Sequence, residues 1–402
     1  MMSSVLQLKN QGPIYMMGLG HGATHWIAGI LYMLLPVLRE DLGMTYTQAG
    51  TLAAIFHVSS FAANFGSGAL VDITGRKVLL QIVALALGAL ALFGLGTSSA
   101  YLVIGLMVVV IGATNNLWHP PAIAFISARY PDHRGYALSI HATGASVADM
   151  IAPVAAGALL VHLTWQQTAM VSTAPVAIVI VMFAVILLSG DRVERAQRGS
   201  NQDFRTYLSG LLSMVKNRAI LGLSLAAAFR SMAQNGLLVF LPLYLADVLK
   251  VNTVVMGTAL MAMHLAGVVV TPLAGTWSDR VGRRPVVLAG LGASTVTIIG
   301  LTFVASTTAF VVGVSILGFV LYAVRPVIHS WMMDIAPDDM RGSATSLLFG
   351  TQSLLSIGMP IIGGVIADQY GLTAVFYLIG ATMLIANLTT ITLPDSKRTV
   401  TA

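Results

Sequence analysis

Twelve long apolar runs divide this sequence, and they constrain its fold more than any other feature. Each run has roughly 20–28 residues, enough for a helix to cross the hydrocarbon core of a bilayer. Only 9% of the 402 residues are charged, and the mean hydropathy is +0.85. A chain of this size with so little charged surface must have lipid as its solvent. The runs do not alternate as barrel strands do, so the sequence predicts an all-α membrane protein.

The runs fall into two sets of six, separated by one long polar stretch. The predicted spans are 13–38, 47–71, 78–97, 101–127, 135–161, 167–189, 218–246, 253–278, 285–305, 308–332, 342–366 and 372–393. We therefore predict twelve transmembrane helices in two six-helix halves, at 1–190 and 218–402, joined by a linker at 191–217. The first run is longer than the apolar core of a signal peptide and is expected to be retained.

A short loop motif occurs twice, each time between two apolar runs. Residues 68–77 and 275–284 both read Gly-x-x-x-Asp-x-x-Gly-Arg-(Lys/Arg), and the two copies are 207 residues apart. The same offset relates other residues in pairs: His57 to His264, Pro153 to Pro360, and Gly157 to Gly364. Several matches at one spacing indicate two copies of one structural unit, so the halves are expected to be pseudo-symmetric.

The positive charges orient the predicted spans. Seventeen of the 21 lysines and arginines fall on one side when both termini are placed in the cytoplasm: Lys9, Arg76, Lys77, Arg129, Arg134, Arg192, Arg195, Arg198, Arg205, Lys216, Arg218, Arg280, Arg283, Arg284, Arg341, Lys397 and Arg398. Only Arg39 and Lys250 fall on the other side. Positive residues favour cytoplasmic loops, so this distribution predicts cytoplasmic termini and a basic linker that lies along the inner leaflet.

Several kinds of soluble enzyme are excluded by the residues present. The chain has no cysteine, and no phosphate-binding Gly-x-x-x-x-Gly-Lys-(Ser/Thr) loop occurs, so ATP is not expected to drive it. The glycines at 18, 20 and 22 lack the strand and acid of a dinucleotide site and are expected to allow close helix contact. His21-x-x-x-His25 lacks the glutamate of a zinc protease. We expect no enzyme activity, no cofactor and no metal.

Six plus six spans, a basic linker and the doubled loop resemble the major facilitator superfamily of secondary transporters. The resemblance implies a monomer in the lipid bilayer that moves a small molecule by alternating access, with no nucleic-acid partner. It also implies a cytoplasmic gate at the doubled loop, formed by Asp72, Arg76, Asp279, Arg280 and Arg283. The first copy departs from the family pattern at Ile73, where an arginine is usual. Lys77 and Arg284 fit equally well as residues that only fix the topology.

A narrower resemblance lies in spans one, four and five. His21, His119-Pro120 and His141 with the glycine-rich text after it resemble the fosmidomycin resistance group of the superfamily. This resemblance implies a bacterial cytoplasmic (inner) membrane and a drug or metabolite exporter. The group's Asn-Asp pair after the first histidine is missing here, and Thr24-His25 stands nearby instead. That difference leaves the substrate undetermined.

Three charged residues inside predicted spans indicate function, because charge in hydrocarbon is costly. Asp149 is the only acid within any predicted span, and it is our candidate for the coupling proton. Arg230 falls near the middle of span seven and Arg325 nearer the inner end of span ten. Two alternatives stay open: Asp149 and Arg230 form a structural pair, and Arg325 extends to the lipid headgroups.

Histidines and amides extend this set along single helix faces. His21 and His25, Arg230 and Gln234, and Arg325 and His329 are each four residues apart and share a face. In the superfamily, spans one, four, seven and ten line the central cavity. The predicted substrate-binding residues are Arg230, Arg325, His25, His119, Asn115 and Gln234. The predicted proton-coupling residues are Asp149, His141 and His21, whereas His57 and His264 are expected to make interhelical hydrogen bonds.

Charge and motif point to a substrate class but disagree on direction. Guanidinium groups match carboxylate or phosphonate oxygens, so the substrate is expected to be a small organic anion. Glycine and proline around Pro153 and Pro360 resemble the antiporter motif of proton-driven exporters, which favours efflux. Protonating Asp149 near a bound anion would favour co-transport, so the alternative is a symporter that takes up a carboxylate or sugar acid. A receptor without transport would be expected to carry an added signalling domain.

Overall fold

The computed structural model describes residues 11–190, 214–337 and 341–394, and in these ranges the only regular secondary structure is helical. The α-helices are α1 Gly12–Asp41, α2 Tyr46–Thr74, α3 Lys77–Leu95, α4 Tyr101–Leu117, α5 His119–Arg129, α6 Arg134–Leu159, α7 Trp165–Val171, α8 Thr173–Ile186, α9 Arg218–Asp247, α10 Thr253–Val281, α11 Arg283–Leu301, α12 Thr307–Ile335, α13 Arg341–Tyr370 and α14 Leu372–Ile391. Short 3₁₀ turns at Pro131–His133 and Leu188–Gly190 complete the described structure.

These helices follow twelve paths, which confirms the predicted all-α membrane fold with twelve helices. The helices α4 and α5 form one path that is interrupted at Trp118, because Pro120 and Pro121 lack the N–H groups that a continuous helix needs. Likewise, α7 and α8 form one path that is interrupted at Ser172. Ten helical segments in the described part of the chain are long and apolar enough to cross a membrane. The helices α2 and α9 are not among these ten.

Helix ends differ from the predicted span ends by a few residues. The helices α2, α10, α12 and α13 each run three or four residues past the end expected from hydropathy. Hydropathy marks where the apolar run stops, whereas backbone hydrogen bonding continues through the polar residues that follow it. Most of the predicted linker, 191–213, lies outside the described residues. Its described end includes Asn217, whose side chain accepts hydrogen bonds from the amides of Ala219 and Ile220 and caps α9.

The chain forms two compact units. Unit 1 comprises 1–44, 55–199 and 252–257, and unit 2 comprises 45–54, 200–251 and 258–402. In the core of unit 1, Trp118 and Phe183 pack edge to face with centroids 5.3 Å apart. The core of unit 2 contains three rings, with Tyr244 against Phe310 (5.4 Å) and Phe376 (4.5 Å). The predicted halves follow the sequence repeat, and their boundaries stay a prediction.

Each unit contains the first residues of one helix from the other half of the sequence. These residues pack against a segment rich in proline and glycine. In unit 2, a Cβ added to Gly50 would lie 2.0 Å from the carbonyl oxygen of Pro360. In unit 1, a Cβ added to Gly257 would lie 2.3 Å from the carbonyl oxygen of Pro153. The 207-residue offset relates Gly50 to Gly257 and Pro153 to Pro360, so the two contacts are equivalent in the repeat. The antiporter-like motif thus serves close backbone contact in both units.

A carboxylate caps the start of α2 within unit 2. Asp368, near the end of α13, accepts hydrogen bonds from the amides of Tyr46 (2.8 Å) and Thr47 (2.9 Å) and from the Thr47 hydroxyl (2.6 Å). The first amides of a helix have no partner within the helix, and the N-terminus carries partial positive charge. The Asp368 carboxylate accepts hydrogen bonds from these amides and places a negative charge at the helix N-terminus, and so it holds the first turn of α2 on α13.

The doubled loop has the same backbone requirement in both copies. Gly75 and Gly282 have φ values of 64° and 99°, in the left-handed region that favours glycine. This is why a glycine precedes the arginine in both copies of the motif.

Candidate functional site

Two helices of unit 1 cross at three glycines, and this crossing places the candidate residues. A Cβ added to Gly144 of α6 would lie 1.9 Å from the carbonyl oxygen of Gly18 on α1, and one added to Gly22 would lie 2.9 Å from that of Gly144. The close helix contact predicted for the α1 glycines is therefore confirmed at Gly18 and Gly22. With the backbones so close, side chains next to these glycines meet directly.

Four histidines from three helical paths meet beside this crossing, and we call them the histidine cluster: His21, His25, His119 and His141. The His21 ring stacks on His141, with centroids 4.0 Å apart and planes 13° apart. The same ring meets His25 and His119 edge to face, with centroids at 4.8 and 4.9 Å. His21 and His141 are buried, and the other two rings are half-buried. Spacing along one helix predicted the His21–His25 pair, and the fold adds the other two.

Every ring of the cluster directs Nδ1 toward an oxygen atom. The distances are 2.8 Å from His21 to the His141 carbonyl, 2.9 Å from His25 to the Asp149 carboxylate, 2.9 Å from His119 to the Asn115 carbonyl and 3.3 Å from His141 to the Met17 carbonyl. Carbonyl and carboxylate oxygens only accept hydrogen bonds, so Nδ1 carries the proton in each ring. In a neutral ring of this tautomer, Nε2 presents a lone pair.

Asp149 pairs with His25, and both side chains are 30% exposed. Within unit 1 the structure thus gives the acid a histidine partner. Asn115 lies beside this pair: its amide reaches the carbonyl of Thr24 at 3.4 Å, one residue before His25. Asn116 instead donates to the carbonyl of Ser60 on α2.

Arg230 of α9 is a buried cation in unit 2 that contacts only neutral oxygens. The residue is 2% exposed, and its guanidinium donates to Gln234 at 2.5 Å and to the carbonyl of Leu321 at 2.9 Å. Its Nε has no partner among the described residues, and none of their carboxylates pairs with it. A charge in this setting is costly, which is the usual mark of a functional residue inside a membrane.

Arg325 and His329 of α12 complete a polar group in unit 2. Arg325 is exposed and lies one helical turn before His329 on α12. The His329 ring meets Phe349 edge to face at 5.1 Å, and its buried Nε2 has no partner among the described residues. The arginine group, Arg230, Gln234, Arg325 and His329, thus combines two guanidinium groups with one amide and one imidazole.

The repeated histidines make the interhelical hydrogen bonds predicted for them. The Tyr32 hydroxyl lies 3.2 Å from Nε2 of His57, and the Tyr322 hydroxyl lies 3.1 Å from Nδ1 of His264. Sequence analysis missed both tyrosines, because the 207-residue offset does not relate them and a tyrosine within a span carries no charge to draw attention.

The second copy of the doubled loop is joined to α12 by Arg283. Its guanidinium contacts Asp279 at 2.5 Å, Asp334 at 3.0 Å and Ser278 at 2.7 Å. Sequence analysis missed Asp334, which lies past the predicted end of its span and so carried no signal of a buried charge. Arg284 donates to the carbonyl of Ile391 on α14.

The other predicted gate residues are Asp72, Arg76 and Arg280. Arg76 and Arg280 are exposed, and the side chain of Asp72 lies outside the described structure. The gate role of all five predicted residues stays a prediction.

The chain is similar in sequence to a known protein family and to known transporters. The model of the Major Facilitator Superfamily matches residues 17–273 and 223–401. The multidrug resistance protein MdtG of Klebsiella pneumoniae strain 342 is 24% identical over 362 residues, which cover 87% of this chain and 85% of that protein. The phosphoglycerate transporter protein of Salmonella typhimurium strain LT2 is 25% identical over 401 residues, which cover 90% of this chain and 84% of that protein.

Two solved structures share the fold at low sequence identity. A crystal structure of a mutant of the nucleoside transporter NupG has a TM-score of 0.80 at 11% identity and covers 94% of this chain and 99% of that chain. A bacterial homologue of the human lysosomal transporter Spinster, inward-facing and occupied, has a TM-score of 0.80 at 15% identity and covers 94% and 95%.

Proposed function

Because this chain belongs to the Major Facilitator Superfamily, we propose that it is a proton-coupled secondary transporter that exports a small organic anion. It is a multi-pass membrane transporter and not an enzyme.

Arg230 is the single observation that carries the proposed substrate class. It is a buried guanidinium whose neighbours are neutral oxygens and whose Nε has no partner in the described part of the chain. A planar anion, such as a carboxylate, phosphonate or phosphate, supplies the missing negative charge and accepts two parallel hydrogen bonds. Gln234 and Arg325 add donors from two helices of the same unit. The similarity to a phosphoglycerate transporter supports an anion of this kind.

The pair formed by His25 and Asp149 supports proton coupling. Asp149 is the acid within a membrane span, and its partner is a group that can be neutral or positive. Uptake of one proton by this pair changes the charge of unit 1 without any other ligand. We assign Asp149 the coupling role, with His21 and His141 as the next residues of the proton path. His25, His119 and Asn115 line the polar surface that the substrate contacts.

Export is the proposed direction, of the type found in the fosmidomycin resistance group. The similarity to a multidrug resistance protein supports it, as does the proline–glycine text at Pro153 and Pro360. Uptake of a carboxylate or sugar acid is the second candidate, favoured by the electrostatics of a protonated Asp149. We propose that the protein is a monomer in the bacterial inner membrane, with both termini cytoplasmic. Its cytoplasmic gate is the doubled loop, with Asp72, Arg76, Asp279, Arg280 and Arg283.

The experiment that separates the two directions uses inverted membrane vesicles with an imposed inside-acid gradient and labelled fosmidomycin. Accumulation of label on acidification is the expected result, because the vesicle lumen corresponds to the outside of the cell. Vesicles with Arg230→Ala should not accumulate it, whereas Arg39→Lys, a change at the end of α1, should behave as the unmodified protein. Loss of preloaded label together with proton exit would establish uptake instead.

A further inference from the structure

We infer that His21, His25 and His119 form a binding site for one divalent transition-metal ion inside unit 1. The inference rests on the geometry of the histidine cluster and does not depend on the proposed anion. It departs from the sequence-based expectation of no metal. His21 and His25 alone lacked a third ligand, and the fold supplies it from α5 through His119.

The three side chains already lie at near-coordinating distance. Each offers one ring nitrogen, and these nitrogens all lie within 4.8 Å of one another. Zinc–nitrogen bonds of about 2.0–2.1 Å in a tetrahedron place ligand atoms roughly 3.4 Å apart. Metal binding at this site requires His25 and His119, the two half-buried rings, to move closer to the buried His21.

The surroundings of the three rings are those of metal-binding histidines. A histidine that binds a metal through one nitrogen generally donates the other N–H to a carboxylate or a backbone carbonyl, which fixes the tautomer and the ring orientation. All three rings do so through Nδ1: His21 and His119 to carbonyls, and His25 to the carboxylate of Asp149. Nε2 is therefore the coordinating nitrogen in each, and Asp149 is a positioning residue.

The buried nitrogen of His21 indicates that a cation belongs at this place. His21 is 8% exposed, and its Nε2 has no hydrogen-bond partner among the described residues. Since Nδ1 holds the proton, this Nε2 is an acceptor on a ring that meets two further imidazole rings edge to face. A metal ion gives it the partner that the protein does not.

The ligand set selects the class of ion. Neutral imidazole nitrogen suits Zn²⁺, Co²⁺, Ni²⁺ and Cu²⁺, whereas Mg²⁺ and Ca²⁺ require oxygen ligands. Three histidines leave the fourth tetrahedral position open, as in zinc sites that bind water or an exogenous anion. The site is thus suited to a borderline divalent ion that keeps one exchangeable ligand.

Cobalt titration of the full chain tests this inference. The protein is purified with a histidine-free affinity tag, reconstituted in nanodiscs, treated with chelator and titrated with Co²⁺, whose visible d–d absorption reports tetrahedral nitrogen coordination. We expect one equivalent of Co²⁺ to bind with tetrahedral bands, and Zn²⁺ to displace it. His21→Gln and His119→Gln should remove the bands. His264→Gln, the matched change in unit 2, should retain them.

Two further variants separate this site from misfolding and from the proposed anion. Asp149→Asn should keep the bands but weaken Co²⁺ binding roughly 10–100-fold, because His25 loses the carboxylate that orients it. Arg230→Ala should abolish anion transport and leave Co²⁺ binding unchanged. Absence of tetrahedral bands in the unmodified protein, or bands that persist in monodisperse His119→Gln protein, would overturn the metal site while leaving the anion proposal intact.

Discussion

His25 donates Nδ1–H to the carboxylate of Asp149 over 2.9 Å, which links α1 to α6 through a half-buried polar pair. The two residues are 124 positions apart and lie on helices whose backbones touch at Gly18 and Gly144. Either partner can change its charge by taking or losing one proton. The pair is thus a place where proton movement can act on the contact between two helices.

Asp149→Asn should abolish gradient-driven transport while sparing substrate exchange. The amide keeps the size of the side chain and can still accept a hydrogen bond from His25, but it cannot carry a proton. Proteoliposomes with an imposed pH gradient measure the first activity, and counterflow without a gradient measures the second. Asp132→Asn, an exposed acid between α5 and α6, is the matched control. Transport against a gradient by the Asp149→Asn variant would make Asp149 structural.

Arg230→Met should lose anion binding and yet keep or raise thermal stability. Methionine fills similar space, and replacing a buried charge by an apolar side chain of similar volume is often neutral or stabilising by about 1–4 kcal/mol. Arg230→Lys should restore binding poorly, because one ammonium cannot reproduce the guanidinium fork. Scintillation binding with labelled phosphonates and a thermal melt measure the two effects. Unchanged affinity in both variants would exclude the anion proposal.

Arg283→Ala should lower stability more than Asp334→Ala, because Arg283 also contacts Asp279 and Ser278, and the two effects should not add in the double variant. The pair joins the doubled loop to α12, but the Asp334 side chain is 42% exposed, so solvent weakens it. We expect a coupling energy of about 0.5–1 kcal/mol, at the upper end for exposed pairs. A double-mutant cycle of thermal unfolding measures it, with Asp132→Ala as a control. Additive effects would mean that the contact contributes nothing.

Gly144→Ala should destabilise unit 1 and separate α1 from α6. The new Cβ would lie 1.9 Å from a backbone oxygen of Gly18, so a helix must move and not just a side chain. Overpacking of this kind costs about 1–3 kcal/mol. Gly300→Ala is the matched control, since nothing lies within 4 Å of its added Cβ. The melting temperature should fall more for Gly144→Ala than for Gly300→Ala. Equal melting temperatures would show that the helix crossing can adjust to the added Cβ.

The helices could be predicted because their signal is local. Hydropathy along the chain located all twelve paths, and the His21–His25 spacing placed two rings on one face of α1. The contact between His25 and Asp149 could not be predicted, since nothing local in the sequence brings the two residues together. It depends on the crossing of α1 and α6 at Gly144, which involves two helices at once.

The same reason explains the contacts that could not be predicted from the sequence. His119 joins His21 through the path of α4 and α5, and no spacing within one helix reveals that approach. Asp334 lies beyond the apolar run of its span, where a charge costs little and draws no attention. The structure is therefore needed to identify contacts between distant segments, whereas the helices themselves can be predicted from local sequence.

The two compact units do not coincide with the two halves of the sequence repeat, because each unit includes the first residues of one helix from the other half. A fragment of residues 1–190 lacks 252–257, and a fragment of residues 218–402 lacks 45–54, so neither carries all of one unit. In unit 2 the missing piece includes Gly50, which touches Pro360, and the amides that Asp368 caps. Two separate six-helix halves could make both contacts only by exchanging helix ends, as a segment-swapped dimer does. In this protein both halves belong to one chain, so the exchange is intramolecular and permanent.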